Sequence, residues 1–304
     1  MGLVSPHGST PPESVPPPDV ALVRALLQEQ HPDLAGLPIT GMRQGWDNTL
    51  FRLGAELCVR LPHRPLAAEL IEHEIRWLPE LAPRLPLPVP APLRVGGPAF
   101  GYPWRWTICS WIDGASALAV APDGDDAAAE ELGRFLRALH QPAPAPAPSN
   151  PFRGVPLARR DAGVRSQAPA AAGFVDSARL VDRWEQLVAE PRYPGPPLWV
   201  HGDVHPGNLI VRDGRLAGVV DFGDLCAGDP AVDFAVGWMM FDLRGRTILR
   251  RYCDADPSAW QRAQGWAIAI GLALVSQSPS ESEFAELGRR TLLAAVADPS
   301  EAPA

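Results

Sequence analysis

The segment from His201 to Asp221, HGDVHPGNLIVRDGRLAGVVD, constrains the fold of this chain more than any other. Leu209, Ile210 and Val211 read as one strand and Leu216 to Val220 as its partner, since both runs are short, apolar and bounded by polar residues. Asp213-Gly214 lies between them, a dipeptide that favours the positive backbone angles of a tight hairpin turn. Folding there brings Asn208 and Asp221 to the same end of the hairpin and leaves Asp203 in the loop just before it. Two carboxylates and an amide oxygen then converge on a small volume, as phosphoryl transfer from a magnesium nucleotide requires. One carboxylate positions the attacking hydroxyl and accepts its proton, while the other and the amide hold metal ions on the phosphates.

The order Asp203, Asn208, hairpin, Asp221-Phe222-Gly223 is that of the protein kinase signature. Here the catalytic loop reads His-Gly-Asp rather than His-Arg-Asp, and GDPAVDFA follows at Gly228 to Ala235. That combination resembles the aminoglycoside phosphotransferase family of small-molecule kinases, which includes macrolide kinases and relatives of choline and fructosamine kinases. The resemblance spans most of the chain from Gly41 onward. It implies an α+β, protein-kinase-like two-lobed fold, with a small mixed N-lobe built on an antiparallel sheet and a larger, mainly helical C-lobe. It also implies Asp203 as the catalytic base, Asn208 and Asp221 as Mg²⁺ ligands, and ATP or GTP as phosphoryl donor to a small-molecule hydroxyl, with aminoglycosides and macrolides as candidates. Asp229 and Asp233 match the family's GDP-x-x-D segment and are expected to brace the active-site loops. No A-P-E segment follows Phe222-Gly223, which argues against a protein kinase.

A chain of 304 residues, nearly half apolar and one fifth charged, can bury a good core as an ordinary soluble protein. Its net charge of −8 argues against nucleic acid or an anionic membrane as partner. Cys58, Cys109, Cys226 and Cys253 show neither paired motif nor zinc spacing, which suits a reduced cytoplasmic protein. The opening residues lack the apolar core of a signal peptide, and their prolines suggest a disordered tail over 1–18. Ala267 to Val275 is the longest apolar run, too short to span a membrane, and reads as a buried helix. One count changes the chemistry: all 27 basic residues are arginine. The lysine that kinase-like enzymes place on an N-lobe strand to grip nucleotide phosphates is absent.

Periodicity supplies the rest of the outline, with an N-lobe over 19–112 and a C-lobe over 113–304. Val20 to Gln30 is helical; Thr49 to Leu53 and Leu57 to Leu61 form strands across a Gly54-Ala55 turn; residues 66 to 81 give a helix. Glu74 falls on the apolar stripe of that helix, where an unpaired charge is costly. Arg60, opposite in facing to Leu57, Val59 and Leu61, is its natural partner. This is the strand-base to helix-glutamate pair of kinases with arginine in the lysine position, and a guanidinium fork can grip two phosphate oxygens. LPLPVPAP at Leu85 to Pro92 reads as an extended connector, and Trp104 to Trp111 as a further strand. By the resemblance, Ser110 to Ile112 is the hinge whose backbone meets the nucleotide base. Asp125 to His140 reads as a helix behind possible Asp caps, Leu180 to Val188 as another, and the chain beyond the catalytic segment as helical.

Gln44-Gly45-Trp46-Asp47-Asn48 sits between the first two strands, where either a nucleotide-covering loop or an ordinary hairpin turn belongs. In the former, Gly45 and Asn48 offer backbone or amide groups to phosphate oxygens. His201 is expected to support the loop, His205 to touch substrate or phosphate if it does more than pack, and Asp224 to face the substrate. Two rival readings remain beside an antibiotic kinase. One is a metabolic kinase acting on an amino alcohol or sugar. The other is a nucleotide-binding pseudokinase, which the missing lysine and short glycine loop suit but the intact Asp203, Asn208 and Asp221 oppose. Oligomeric state leaves no mark in the sequence.

Overall fold

The computed structural model describes residues 18–45 and 47–297. The expected tail up to residue 17, and Trp46 of the expected nucleotide-covering loop, lie outside the described residues. Within them the chain forms two compact units, residues 18–113 with 218–223, and residues 114–217 with 224–297.

The first unit opens with helix α1 (Val20–Gln30), whose N-cap Asp19 accepts the Leu22 N–H. A five-stranded antiparallel sheet follows: β1 (Ile39–Gln44), β2 (Asn48–Leu53), β3 (Leu57–Pro62), β4 (Pro92–Gly96) and β5 (Trp106–Ser110), in the order β1-β2-β3-β5-β4. Helix α2 (Pro65–Leu81) connects β3 to β4, with Pro65 at its first turn, where a missing N–H costs nothing. Directly opposed residues of an antiparallel pair share a face, so the register assigns the two sides of the sheet. Phe51 pairs with Val59, and Val59 with Ile108. These residues, with Leu53, Leu61 and Trp106, close over Val23, Leu26 and Leu27 of α1 as the core of this unit. Each such side chain contributes about 1.5–3 kcal/mol by leaving water. The opposite face carries Arg60 opposite Thr107 and Cys58 opposite Cys109.

Strand β4 does not stand out in the sequence. Its Pro92-Leu93-Arg94-Val95-Gly96 has a proline at its start and no clean alternation, and it lies at the sheet edge, where a missing donor is tolerated. Gly96 is required there because a Cβ would lie about 2.0 Å from the Trp106 ring.

The second unit contains β6 (Ala115–Ser116), α3 (Asp125–Leu139), α4 (Asp161–Gln167), α5 (Ser177–Val188), β7 (Leu198–Val200), β8 (Leu209–Arg212), β9 (Arg215–Val219), β10 (Cys226–Gly228), α6 (Ala231–Phe234), α7 (Val236–Met240), α8 (Leu243–Cys253), α9 (Pro257–Gln277) and α10 (Glu283–Ala297). The last residues of β9 and the Asp-Phe-Gly run count with the first unit. Asp176, Asp242 and Asp256 cap α5, α8 and α9, each accepting a backbone N–H and contributing about 1 kcal/mol. Helix α3 departs from expectation: its N-cap is Gly124, and Asp125 and Asp126 lie in the first turn, where they complement the helix dipole instead of capping it. Helix α9 is buried from Ala259 to Leu274 nearly all round, and Trp238, Trp260 and Trp266 are core residues. Among the described residues, no helix is long and apolar enough to cross a membrane.

Candidate active site

The Asp213-Gly214 hairpin forms as its sequence requires, with φ of 52° and 73° at the two turn residues. Upstream of it, β7 pairs antiparallel with β10, with Val200 opposite Cys226, and this pairing places the His201–Asp203 turn beside Asp224-Leu225. Gly202 has φ +86°, and a Cβ there would meet the Asp224 carbonyl oxygen at 2.7 Å. The sharp turn and the close approach together explain Gly in His-Gly-Asp. Asp233, fully buried on α6, accepts the His201 N–H through Oδ2 and the Gly202 N–H through Oδ1, both at 2.8 Å. His140 Nε2 of α3's C-cap adds a third contact to the same carboxylate at 2.9 Å. Asp229 accepts the Ala231 N–H and a two-pronged contact from the buried Arg262 of α9 at 2.7 and 3.2 Å. Asp233 thus holds the His201–Asp203 turn directly, whereas the Asp229 side chain ties the start of α6 to α9.

This frame positions Asp203, which is buried. Its backbone N–H donates to His201 Nδ1 at 3.2 Å, and its carbonyl accepts Asn208 Nδ2 at 2.9 Å. The same Asn208 amide nitrogen reaches the Asp203 carboxylate at 3.3 Å, so the two expected site residues meet. His205 is buried too: Nδ1 accepts the Gly207 N–H at 3.0 Å, which leaves the ring proton on Nε2, 3.5 Å from Asp203 Oδ2. Phe284 packs edge-on against the imidazole.

Arg153 is the residue that sequence reasoning missed. It lies in no motif, in a loop far upstream of the catalytic segment. Asn150 Oδ1 accepts the Phe152 and Arg153 N–H groups, an Asx-type turn that aims the arginine inward. The buried guanidinium then reaches Asp203 Oδ1 at 3.4 Å through Nη2 and Asp224 Oδ2 at 3.2 Å through Nε. Asn150 Nδ2 holds the other Asp224 oxygen at 2.8 Å. Burial alone would raise the Asp203 pKa. The His205 imidazole, then Arg153 and His201, outweigh it and hold the carboxyl well below the usual carboxylate range.

In the first unit, Arg60 of β3 and Glu74 of α2 form a buried, two-pronged ion pair, one prong 3.0 Å long. Burial alone would pull the Arg60 guanidinium down, but Glu74 more than restores it, and the guanidinium is held above its ordinary value. The charge of Asp221 acts on both Arg60 and Asp47. Asp221 is itself half-buried, with φ +66°, a left-handed conformation unusual for a side-chain-bearing residue and frequent at functional sites. Gly45 and Asn48 close the β1–β2 turn, where the Gly45 N–H donates to the Asn48 carbonyl at 2.9 Å and Asn48 Oδ1 is buried with no hydrogen-bond partner among the described residues. Asp47 pairs with Arg64. Ser110 is the exposed last residue of β5, and Ile112 follows beyond the strand, with its side chain against Gly218.

Among the described residues, no group of three His, Cys, Asp or Glu side chains forms a metal cage. Mg²⁺ that arrives with nucleotide phosphates needs only one or two protein oxygens, because it keeps water and takes the rest from phosphate. Asn208 fits that demand: its amide nitrogen is committed to Asp203, which leaves Oδ1 as the donor for a hard cation. The Asp221 carboxylate fits it as well.

A buried carboxylate in a His-Gly-Asp turn, an arginine-glutamate pair between a five-stranded sheet and its helix, and a mainly helical second unit are the features of a kinase-like fold. The chain belongs to the phosphotransferase enzyme family, whose profile matches residues 38–266. An aminoglycoside 3'-phosphotransferase of Escherichia coli is 27% identical over 139 residues, 44% of this chain and 51% of that protein. The chain spans between 30% and 51% of the length of the curated relatives it matches. The GDP and kanamycin complex of an aminoglycoside phosphotransferase, APH(2'')-IIIa, shares the fold with a TM-score of 0.64 at 18% identity, covering 90% of this chain and 98% of that one. The macrolide 2'-phosphotransferase MphH of Brachybacterium faecium shares it with a TM-score of 0.57 at 21% identity, covering 90% and 97%.

Proposed function

We propose that this protein transfers the γ-phosphate of a magnesium nucleotide, ATP or GTP, to a hydroxyl of a small molecule, with aminoglycoside and macrolide antibiotics as the first acceptors to test. The observation that carries this reading is Asp203: buried, held ionised, and fixed through both backbone and side chain by Asn208. A carboxylate with so low a pKa is a weak base. Its contribution is to receive the acceptor hydroxyl, align it for in-line attack and take its proton once the bond to phosphorus forms. His205 presents an N–H to the same carboxylate and Arg153 a cation, so both keep it ionised and oriented. Arg60, fixed by Glu74, is assigned to the phosphates of the donor, and Gly45, Asn48 and the Ser110 to Ile112 backbone to its covering and base contacts. Asp224, tied to Arg153 and Asn150, is assigned to the acceptor side. Asn208 and Asp221 are the proposed metal ligands; bound Mg²⁺ supplies the charge that stabilises the developing negative phosphoryl group.

The test is magnesium-dependent consumption of ATP and GTP against a panel of aminoglycosides, macrolides, amino alcohols and sugars. Asp203→Ala should lower turnover by about 10²–10⁴-fold while nucleotide affinity stays near that of the unaltered protein. Turnover that survives the substitution rules Asp203 out as the base. Tight magnesium-nucleotide binding with no acceptor turned over favours a pseudokinase.

A further inference from the structure

On the same sheet face as Arg60, Cys58 of β3 stands directly opposite Cys109 of β5, one register pair along from Arg60 and Thr107 on that face. Both thiols are free and buried. We propose that Cys58 and Cys109 are an oxidisable dithiol, and that closing their disulfide with hydrogen peroxide disables the nucleotide grip of Arg60. The second half of this statement rests on the nucleotide-binding reading given above; the first half does not.

The geometry carries the bond. Opposed residues in an antiparallel pair have Cα atoms about 4.5 or 5.5 Å apart, and both values fall inside the window of about 4.4–6.8 Å that disulfides occupy. The Trp111 N–H donates to the Glu56 carbonyl at 2.7 Å, which makes Glu56/Trp111 a hydrogen-bonded pair. Counting along the ladder gives the same type to Cys58/Cys109, and hence the wider Cα spacing. The Cys109 thiol is held below its ordinary value and the Cys58 thiol above it, each chiefly through the other across the ladder, with Arg60 lowering both. Cys109 Sγ also contacts Thr107 Oγ1 at 3.5 Å. Cys109, whose sulfur has the Thr107 hydroxyl beside it, is taken as the attacking sulfur.

In the first step the Cys109 thiolate attacks the distal oxygen of the peroxide. The O–O bond breaks, an S–O bond forms, and Cys109 becomes a sulfenic acid as hydroxide leaves. In the second step Cys58 sulfur attacks Cys109 sulfur, the S–O bond breaks, and the two thiol protons end in water. Two thiols are oxidised and one peroxide is reduced to two waters. Both sulfurs are buried, so the oxidant is taken to be as small as hydrogen peroxide and not a bulky disulfide. The consequence for Arg60 follows from reach. Opposed Cβ atoms lie about 4.5–5.5 Å apart, whereas a disulfide draws them to about 3.8 Å. The two Cβ atoms must therefore draw together by about 1–2 Å beside Arg60, whose pairing with Glu74 fixes where its fork points.

The full-length protein is treated with hydrogen peroxide, unfolded in iodoacetamide and digested with trypsin, and binding of a fluorescent magnesium nucleotide is measured before and after. The expected result is a disulfide joining the peptide Leu53–Arg60 to the one that begins at Trp106, with Cys226 and Cys253 still alkylated. Nucleotide binding is lost with it and returns with dithiothreitol, and Cys58→Ala abolishes the peroxide response. Alkylation of all four thiols after peroxide, or a linked pair other than Cys58–Cys109, overturns the proposal without use of any variant. A linked pair in a protein whose binding is unchanged overturns the switch. A reduced protein that binds no nucleotide, yet links the same two cysteines, instead counts against the nucleotide-binding reading.

Discussion

The buried guanidinium of Arg153 stands 3.4 Å from the carboxylate of Asp203. The same guanidinium reaches Asp224, so one cation balances two acids inside the second unit. Removing it takes from two carboxylates the cation they share. We expect Arg153→Met to cost about 3–5 kcal/mol of stability, the usual result of taking one partner from a buried ion pair. Arg153→Lys keeps the charge but lacks the fork, and should fall between. Thermal denaturation measures the first effect. Steady-state kinetics measures the second, a fall in kcat with little change in the nucleotide KM. An unchanged kcat in Arg153→Lys and Arg153→Met alike removes the arginine from the positioning role.

Arg60 and Glu74 separate stability from binding. Glu74→Ala strands a buried guanidinium and should destabilise by about 3–5 kcal/mol. Replacing both partners, as Arg60→Met with Glu74→Leu, fills the space with apolar groups and should recover most of that loss. Urea denaturation reads the stability of the three proteins. The double variant should be folded and unable to bind nucleotide; if it binds as the parent does, Arg60 grips no phosphate.

The ionised state of Asp203 sets a pH dependence whose sign is fixed. A carboxyl with a depressed folded pKa contributes stability above its unfolded pKa of about 3.9, and that contribution fades as pH falls toward the folded value. Asp203→Asn should therefore be less stable than the parent at neutral pH, with the gap narrowing in strong acid. Urea midpoints across that range follow it. A gap that is constant with pH means the carboxylate is not held ionised by its neighbours. With Asp203 in its proposed role, the same shift predicts that it does not set the acid limb of the rate profile.

Asp233 holds the catalytic turn by its backbone. Asp233→Ala leaves the His201 and Gly202 N–H groups buried and unsatisfied, at about 1–3 kcal/mol each. Amide hydrogen exchange at these two positions should accelerate relative to the rest of the unit, and turnover should fall although Asp233 touches no reactant. Unaltered protection of both amides contradicts this role.

Local chemistry explains which parts of this arrangement were legible in the sequence. The Asp213-Gly214 turn, the α1 stripe and the burial of Glu74 each follow from a few adjacent or periodic residues, so they can be read without tertiary knowledge. Strand β4 could not be read this way, because its pairing with β5 fixes it and its own residues do not alternate. Arg153 is the harder case. It reaches Asp203 across fifty residues of chain, and only the Asx-type turn at Asn150 hints that the side chain is directed anywhere. His205 lay inside the motif, but its role depends on which ring nitrogen the Gly207 N–H occupies, and that is a matter of backbone geometry.

Arg60 stands where the kinase signature puts a lysine, and no lysine stands elsewhere in the chain. Amine-directed acylating reagents therefore meet no side chain they can modify, and a guanidinium held protonated by Glu74 is no nucleophile. Nucleotide-shaped acyl phosphates, which mark kinases by transferring their acyl group to that lysine, would leave this protein untagged even while occupying the site. A chemoproteomic survey built on them would count the chain as inactive. Dicarbonyl reagents that condense with arginine are the matching labels, and protection of Arg60 from them by nucleotide would make occupancy visible.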